Sequence, residues 1–307
     1  MDPTRQKISS LLSQLTTVIV GKDEQVRDCL TCLMAGGHLL IEDVPGVGKT
    51  TLAQALARTL GLQFSRVQFT SDLMPSDLMG VSVFEREREA FVFHPGPLFA
   101  QVLLADEINR ASPKTQSALL EAMEEKQVSV EGETRPLPNP FFVIATQNPH
   151  DQLGTHALPE SQLDRFLMRI SLGYPARDAE RALLQGDDRR ALLDGLPALL
   201  SPEELRLLQR EVLAVAAAPA VLDYLQDLVD ATRNGRWFVQ GLSPRAALAI
   251  LRAAKARALV EGRRYVAPDD IAGILPQSAA HRLVPLGQAG RGPVEQVRAM
   301  VEATPLP

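Results

Sequence analysis

The chain has 307 residues, of which 45% are hydrophobic and 22% charged. These proportions exclude a disordered or collagen-like chain, and the length favours two domains at roughly 150 residues each. Lysine and arginine total 32 against 37 aspartate and glutamate, a net charge of −5, so the chain lacks the basic excess that marks many nucleic-acid binders. The negative charge lies in residues 1–175, which carry 15 basic and 21 acidic side chains, whereas residues 176–307 carry 17 and 16.

The sequence contains no candidate for a membrane span or a secretion signal. Its longest uncharged runs have 15 residues, fewer than the ~20 apolar residues that a spanning helix needs, and its first ten residues are polar and charged. Cys29 and Cys32 form a C-x-x-C pair, which is found in redox sites and in zinc sites. No second Cys or His pair follows, so we expect packed, reduced thiols and a cytoplasmic location.

Strand and helix patterns alternate through the first 175 residues. Apolar periodicity predicts helices over residues 4–17, 22–35 and 49–60 and strands at 38–42, 64–69, 102–105, 141–146 and 166–171. A further helix is predicted to begin at Ser112-Pro113, with serine as its N-cap. Hairpins are predicted for 81–84 with 91–94 and for 128–130 with 134–137. This alternation favours an α/β fold with a parallel sheet covered on both faces.

The pattern changes after Tyr174-Pro175, beyond which no strand is predicted. Helices are predicted to begin at Ser201, Ser243 and Ala267, each of which is followed by proline. The sequence therefore predicts an α/β domain over residues 1–177 and a small all-helical domain with a C-terminal tail over residues 178–307.

The segment DVPGVGKT, between the strand HLLIE and a helix, has the context of a phosphate-binding loop. Gly46 and Gly48 let backbone N–H groups turn toward a polyphosphate, and the helix N-terminus adds the positive end of its dipole. We expect Lys49 to reach the β- and γ-phosphates and Thr50 to hold Mg²⁺. The usual pattern begins with glycine; we attribute Asp43 to the tolerance of aspartate for unusual backbone angles. The predicted nucleotide-contacting residues of this loop are Val44, Pro45, Gly46, Val47, Gly48, Lys49, Thr50 and Thr51.

Two later strands end in polar side chains. The strand in QVLLADEINR ends at Asp106, placed to share Mg²⁺ with Thr50, and at Glu107, placed to polarise an attacking water. The strand in FFVIATQNP ends at Asn148, placed to orient that water beside the γ-phosphate, although an Asn-Pro turn after a strand is common on its own. The order and spacing of the three segments favour a nucleoside-triphosphate site.

Two arginines complete the candidate site. Arg165 lies in LPESQLDRFLMRI, just before the last strand, and Arg245 lies in GLSPRAALA, in the first turn of a helix. Because the helix dipole disfavours a cation at that position, we expect an anion to face Arg245. Each arginine is also compatible with a solvated or salt-bridged surface residue.

The chain resembles the MoxR-type AAA+ ATPases, P-loop αβα domains followed by a helical lid. The resemblance runs from about Val20 to Leu283 and rests on six segments in order, IEDVPGVGKTTLA, FTSDLMPSDLMG, HPGPLFAQVLLADEINRASPKTQSALLEAMEEKQVSVEGETRPLP, FFVIATQNP, LPESQLDRFLMRISLGYP and GLSPRAALAILRAAKARA. It implies that ATP and Mg²⁺ are the cofactors. The implied Walker residues are Lys49, Thr50, Asp106 and Glu107.

The same resemblance implies roles for the remaining residues. Val20 and Gly21, at the end of the segment 18–21, would line the adenine pocket, and Asn148 would be sensor 1. Arg165 would be an arginine finger that reaches the ATP of the neighbouring subunit. Arg245 would be sensor 2 and is expected to reach the ATP of its own subunit.

The implied function is ATP hydrolysis in a homo-oligomeric ring, usually a hexamer, that remodels or matures a client protein. Such relatives often act with a von Willebrand factor A partner; this chain lacks the Asp-x-Ser-x-Ser motif of that domain, so we expect a separate partner. A DNA-dependent motor is the first alternative, disfavoured by the acidic hairpin tip 131–133, and we expect no nucleic-acid partner. A slow nucleotide-gated binding module is the second, disfavoured by the presence of Glu107 and Asn148. Neither hairpin tip is aromatic, which disfavours protein threading.

Overall fold

The first half of the chain forms a parallel sheet with two appended hairpins, in a computed structural model that describes residues 2–149, 154–185, 189–286 and 292–306. In chain order the strands are β1 (His38–Glu42), β2 (Phe64–Gln68), β3 (Gly80–Glu85), β4 (Ala90–Pro95), β5 (Val102–Asp106), β6 (Gln127–Val130), β7 (Glu133–Pro136), β8 (Phe142–Gln147) and β9 (Phe166–Ile170). Five of them form one sheet in the order β2-β5-β8-β1-β9, with every pairing parallel. The predicted α/β fold class is confirmed.

The helices lie before, between and after these strands. They are α1 (Pro3–Val18), α2 (Asp23–Met34), α3 (Lys49–Thr59), α4 (Pro75–Met79), α5 (Pro113–Glu125), α6 (Glu160–Leu163), α7 (Arg177–Gln185), α8 (Arg189–Asp194), α9 (Pro202–Ala214), α10 (Pro219–Arg233), α11 (Pro244–Val260), α12 (Pro268–Ala279) and α13 (Pro293–Ala303). None among the described residues is long and apolar enough to cross a membrane.

Alternate residues of the sheet face two buried hydrophobic clusters. On β1, Leu39 and Ile41 join the cluster that contains α1, α2 and α3, whereas Leu40 joins the cluster that contains α5. Strands covered on both faces have near-continuous apolar sequences, which is why the sequence located them. Because the strands are parallel, the polar residues that follow β1, β5 and β8 emerge at one edge of the sheet.

The two predicted hairpins are β3–β4 and β6–β7. The turn of the first hairpin, residues 86–89, contains no aromatic residue, as the sequence indicated. Phe84 and Phe91, the second ladder pair from that turn, stack edge to face at 5.4 Å. Both are exposed, Phe91 to 74%, so the end of this hairpin presents an aromatic pair beneath a charged turn.

The helices after residue 177 pack on the sheet through the first cluster. Ile250 of α11 and Ile271 of α12 are buried in the same cluster as Leu39, and α11 packs against α2. The predicted N-caps hold: the hydroxyls of Ser201 and Ser243 accept backbone N–H groups three residues later, at 3.2 and 3.1 Å. Among the described residues no strand follows β9. The boundary after residue 177 falls at the start of α7 and stays a prediction.

Candidate active site

The predicted phosphate loop, residues 43–48, joins the end of β1 to the start of α3. Gly46 and Gly48 have φ of 84° and 95°, a left-handed conformation that side chains rarely adopt. A Cβ on either would meet no atom within 4 Å, so glycine is required by φ, and the space above the loop is open. Lys49, Thr50 and Thr51 form the first turn of α3, where backbone N–H groups have no intrahelical acceptor. The loop therefore has the open, donor-rich geometry that a polyphosphate needs.

Lys49 points back across the loop. Its Nζ donates to the backbone carbonyl oxygen of Asp43 at 2.7 Å. Burial lowers the pKa of Lys49, and the nearby carboxylates of Asp43, Asp106 and Glu107 oppose that shift. The ammonium group thus lies near the acidic ends of the neighbouring strands, where a bound phosphate would also meet it.

Asp43 has a role that the sequence analysis did not foresee. It is buried and has no positive φ, so its tolerance for unusual backbone angles is not used, and that explanation was wrong. Instead its Oδ2 accepts hydrogen bonds from Ser171 Oγ at 3.0 Å and from the Gly173 N–H at 2.6 Å, and its Oδ1 accepts one from the Val44 N–H at 2.9 Å. This carboxylate ties the phosphate loop to the segment that follows β9.

The segment 171–174 also contacts the loop that was predicted to hold adenine. Lys22 Nζ donates to the carbonyl oxygen of Tyr174 at 2.8 Å. Gly21 has φ of 71°, and a Cβ placed on it would lie 2.8 Å from Ala179 Cβ at the start of α7. Gly21 therefore lies against α7. The segment 171–174 contacts both Lys22, next to the predicted adenine loop, and Asp43 of the phosphate loop.

Asp106 and Glu107 end β5 beside the phosphate loop. Asp106 Oδ1 accepts from Thr146 Oγ1 at 2.6 Å, and its Oδ2 accepts from Arg66 Nη2 at 2.7 Å. Glu107 has φ of 56° and donates its N–H to the same Thr146 hydroxyl at 2.9 Å. Its carboxylate pairs with Arg110 Nε at 3.0 Å. One threonine of β8 thus fixes both acidic residues, and each carboxylate is held by an arginine.

Thr146, Arg66 and Arg110 were missed by the sequence analysis. Thr146 stands two residues before Asn148, the predicted sensor, which is half-buried beyond β8. Arg66 pairs in register with Leu104, and Asp106 lies two residues along that strand on the same face. The pairing of β2 with β5 was the signal needed to find this ion pair, and strand order is not visible in one sequence.

The residues present fit a magnesium ion. Thr50 and Asp106 supply a hydroxyl and a carboxylate, hard oxygen ligands of the kind that Mg²⁺ uses together with substrate phosphates. The described residues contain no group of three or more His, Cys, Asp or Glu side chains that could hold a metal ion by themselves. A site of this type depends on the phosphates for its remaining ligands, and the open cradle above Gly46 and Gly48 leaves room for them.

The two predicted arginines lie together at the other edge of the sheet. Arg165 Nη1 donates to the Leu120 carbonyl oxygen at 2.8 Å and pairs with Glu124, and Arg245 Nη2 pairs with the other oxygen of Glu124 at 2.6 Å. Both line a cavity with Gly37 and His38, where β1 begins. The phosphate loop follows the opposite end of β1, about 13 Å away along a strand of this length.

Arg245 is therefore not placed as expected. In this structure it lies beside Arg165 and Glu124, away from the phosphate loop of its own chain, and the expectation that it reaches the ATP of its own subunit is wrong here. The cause is the packing of α11 against α2 and β9, which brings the first turn of α11 to the end of α5. The two arginines lower the pKa of Glu124, and Glu124 raises the pKa of Arg245.

Comparison with known proteins agrees with this geometry. Residues 38–168 match the family model described as "ATPase family associated with various cellular activities (AAA)", and residues 230–303 match an AAA lid domain. The Mycobacterium tuberculosis chaperone MoxR1 is 43% identical over 88% of this chain and 74% of its own length. The chain belongs to the MoxR family of AAA+ ATPases. Methylorubrum extorquens protein MoxR is 33% identical to this MoxR-family chain, over 96% of this chain and 93% of its own.

A solved structure shares the fold of this MoxR-family chain. A crystal structure of a protein assigned as an ATPase from Cytophaga hutchinsonii superposes with a TM-score of 0.90, at 34% identity, over 99% of this chain and 96% of that one. The parallel-sheet ATPase domain and the helical lid are thus common to both chains. The predicted MoxR-type AAA+ resemblance is confirmed.

Proposed function

We propose that this chain is a Mg²⁺-dependent ATP hydrolase that works as a homo-oligomeric ring, a hexamer, and remodels a client protein. One observation carries the proposal: the phosphate loop and the acidic residues stand at one edge of the sheet, and Arg165 and Arg245 stand at the other. The two groups are too far apart to meet within one chain. We call the first the phosphate edge, with Lys49, Asp106 and Glu107, and the second the arginine edge, with Arg165 and Arg245. They complete a single site when the arginine edge of one copy meets the phosphate edge of the next.

The residues at the phosphate edge would divide the work as follows. Lys49 and the backbone of the loop bind the phosphates, Val20 and Gly21 contact the adenine, and Thr50 and Asp106 hold Mg²⁺, which when bound neutralises phosphate charge. Glu107 accepts a proton from the attacking water, which Asn148 orients. In the structure Oε2 of Glu107 is paired with Arg110, so this ion pair weakens the carboxylate as a base until it opens.

The arginine edge would act on the ATP of the neighbouring copy. An arginine that approaches a γ-phosphate from outside stabilises the charge that develops during phosphoryl transfer, an effect of about 10³–10⁵ in rate in GTPases. Arg165 has this role in our proposal, and Arg245 shares it because the same carboxylate, Glu124, holds both. This replaces the expected role of Arg245 at its own nucleotide.

The client and partner come from the family. MoxR1 of M. tuberculosis is named a chaperone, which supports protein remodelling, and a separate von Willebrand factor A protein is the partner that we propose. Cys29 and Cys32 are both buried and free, in keeping with the cytoplasmic location that we propose. At the second hairpin tip, Glu133 pairs with Arg135, whose guanidinium lies 4.0 Å from the centre of the Phe93 ring. Arg135 thus neutralises one of the two glutamates of the tip 131–133, but the tip itself contains no basic residue, which supports a protein client over DNA.

A slow nucleotide-gated binding module is the second candidate. The observation that favours it is the Glu107–Arg110 ion pair, which occupies the proposed general base in the isolated chain. Turnover measured with and without the partner separates the two: hydrolysis that stays negligible in the assembled, partner-bound state would favour the module.

Two substitutions test the assignment of the phosphate edge. Lys49→Ala is expected to abolish ATP binding, and Glu107→Gln to keep binding but slow hydrolysis by roughly 10²–10⁴-fold, the usual effect of losing a general base. The controls are Lys114→Ala and Glu121→Gln, which change the same charges at exposed positions of α5. ATP affinity and turnover are measured for all four. Hydrolysis at the wild-type rate in Glu107→Gln would disprove the role of Glu107.

A mixing experiment tests the shared site. Arg165→Ala should bind ATP nearly normally and hydrolyse it poorly. Added Lys49→Ala subunits should then restore turnover, because a Lys49→Ala copy still offers Arg165 to a neighbour whose pocket is intact. Failure of the mixture to recover activity, although mixed oligomers form, would refute the proposed ring site.

A further inference from the structure

The arginine edge contains a cavity of about 390 Å³ whose charge is not balanced. It lies between α11, the end of α5 and the starts of β1 and β9. Five cationic side chains line it, Lys126, Arg165, Arg245, Arg252 and Arg282, and two carboxylates, Glu124 and Asp164. His38 in the wall is neutral at pH 7, because burial lowers its pKa to about 4. The lining therefore has an excess of three positive charges.

The carboxylates are already committed to three of these cations. Glu124 pairs with Arg165 and Arg245, and Asp164 Oδ1 accepts from Arg282 Nε at 2.7 Å. Lys126 is exposed at the end of α5, where water solvates its ammonium group. Arg252 differs from all four, because it faces the cavity from the middle of a helix.

Arg252 makes no hydrogen bond and no ion pair with any residue of the described ranges. The surrounding protein desolvates its guanidinium and lowers its pKa, although an arginine stays charged at neutral pH. The nearby Cys32 thiol does not compensate, since burial raises its pKa and keeps it neutral. Arg252 is also exposed at the mouth of the cavity, so water solvates it in the isolated chain and an incoming anion can reach it.

The position of Arg252 matches that of Arg245. The two are seven residues apart on α11, which places them on one face of the helix about 10 Å apart along its axis. Leu248, between them on this face, lines the same cavity and is 70% exposed. Arg245, Leu248 and Arg252 therefore form one solvent-accessible face of α11 at the cavity.

We propose that Arg252 is a third arginine that contacts the phosphates of the nucleotide held by the neighbouring copy. This inference rests on the proposed shared site and adds a residue to it. A guanidinium makes paired hydrogen bonds to phosphate oxygens, and Arg252 is the one guanidinium of the described cavity lining that no carboxylate occupies. It is free to bind when the phosphate edge arrives, whereas Arg165 and Arg245 must first exchange Glu124 for phosphate.

The experiment measures hydrolysis by Arg252→Gln and Arg252→Lys. Loss of charge-assisted hydrogen bonds to phosphate should slow turnover by about 10–100-fold in Arg252→Gln, while ATP affinity stays normal because the phosphate loop of the same chain is intact. Arg252→Lys keeps the charge and loses the paired hydrogen bonds, so its rate of hydrolysis should lie between those of wild type and Arg252→Gln. Arg298→Gln, an exposed arginine of α13, is the matched control and should hydrolyse normally.

Mixing separates this inference from the proposed function. Lys49→Ala subunits should restore turnover to Arg252→Gln as they do to Arg165→Ala. Recovery for Arg165→Ala but not for Arg252→Gln, or a wild-type rate in Arg252→Gln alone, overturns the role of Arg252 and leaves the shared site standing. No recovery for either variant overturns the shared site itself.

A free phosphate is the other source of the same chemistry. Inorganic phosphate is titrated into Lys49→Ala protein, and into the same protein with Arg252→Gln, while thermal unfolding is followed without nucleotide. If phosphate changes the Tm of both proteins equally, the neighbouring nucleotide is supported as the ligand. Saturable stabilisation at millimolar phosphate that depends on Arg252 would instead make the cavity a free-phosphate site and refute the proposal.

Discussion

Replacing Asp43 by glycine isolates a contact that most phosphate loops lack. The substitution gives the loop the glycine that usually stands at its first position, so its ability to bind phosphate should survive. What is lost is the carboxylate that accepts from Ser171 Oγ at 3.0 Å and from the Gly173 N–H at 2.6 Å. An unpaired buried donor costs about 1–3 kcal/mol. Ser171 is exposed and Gly173 half-buried, so water replaces part of the loss, and we expect a destabilisation of about 2–3 kcal/mol, or roughly 3–5 °C in Tm for a chain of this length.

The assay is thermal unfolding of wild type and Asp43→Gly, with and without ATP, together with ATP affinity. We expect Tm to fall, ATP affinity to change only a few-fold, and ATP to recover part of the lost stability, because bound phosphate orders the loop. Asp43→Asn keeps one acceptor oxygen, so its Tm should lie between those of wild type and Asp43→Gly. Asp72→Gly makes the same change at an exposed loop position and should have little effect. If Asp43→Gly has the same Tm as wild type, the buried carboxylate does not hold the loop to the segment after β9.

Two further outcomes follow from charge. Burial raises the pKa of Asp28 to about 6, against an opposing effect of Arg257, so the folded chain binds a proton here that the unfolded chain releases near pH 4. Folding stability from this group is therefore lost as pH rises from 4 to 6. Asp28→Asn should raise the free energy of unfolding by about 1–3 kcal/mol at pH 8 and leave it unchanged near pH 4. An equal Tm difference between the variant and wild type at both pH values would refute the assignment. Duplex or single-stranded DNA should not bind appreciably at physiological salt, given the acidic first half; a titration that shows sub-micromolar, salt-dependent binding would favour the DNA motor.

The sequence predicted those parts of the molecule that depend on neighbouring residues. Buried strands, helices that begin with proline and the glycine loop each depend on residues close together in the sequence. Their periodicity or backbone requirements can therefore be recognised in a single sequence. The roles of Asp43 and Thr146 were not predictable in the same way, because their partners lie in other segments of the chain: Ser171 is 128 residues beyond Asp43, and Asp106 is 40 residues before Thr146.

The placement of Arg245 failed for a related reason. Its motif was recognised and its first-turn position on α11 was right, but its target depends on how α11 packs on α2 and β9. The expectation that an anion faces it was met by Glu124. A helix dipole indicates that a counter-charge is needed, and tertiary packing decides which group supplies it.

The hydrophobic cluster shared by the sheet and the late helices constrains how such a machine can move. Ile250 and Leu275, in α11 and α12, are at most 1% exposed in the cluster that also contains Leu39. Burying one side chain of this size contributes about 1.5–3 kcal/mol, so swinging these helices away from the sheet would expose several such groups at once. Movement of these helices away from the sheet is therefore costly, and in the ring that we propose we expect the movement that accompanies hydrolysis at the contacts between copies.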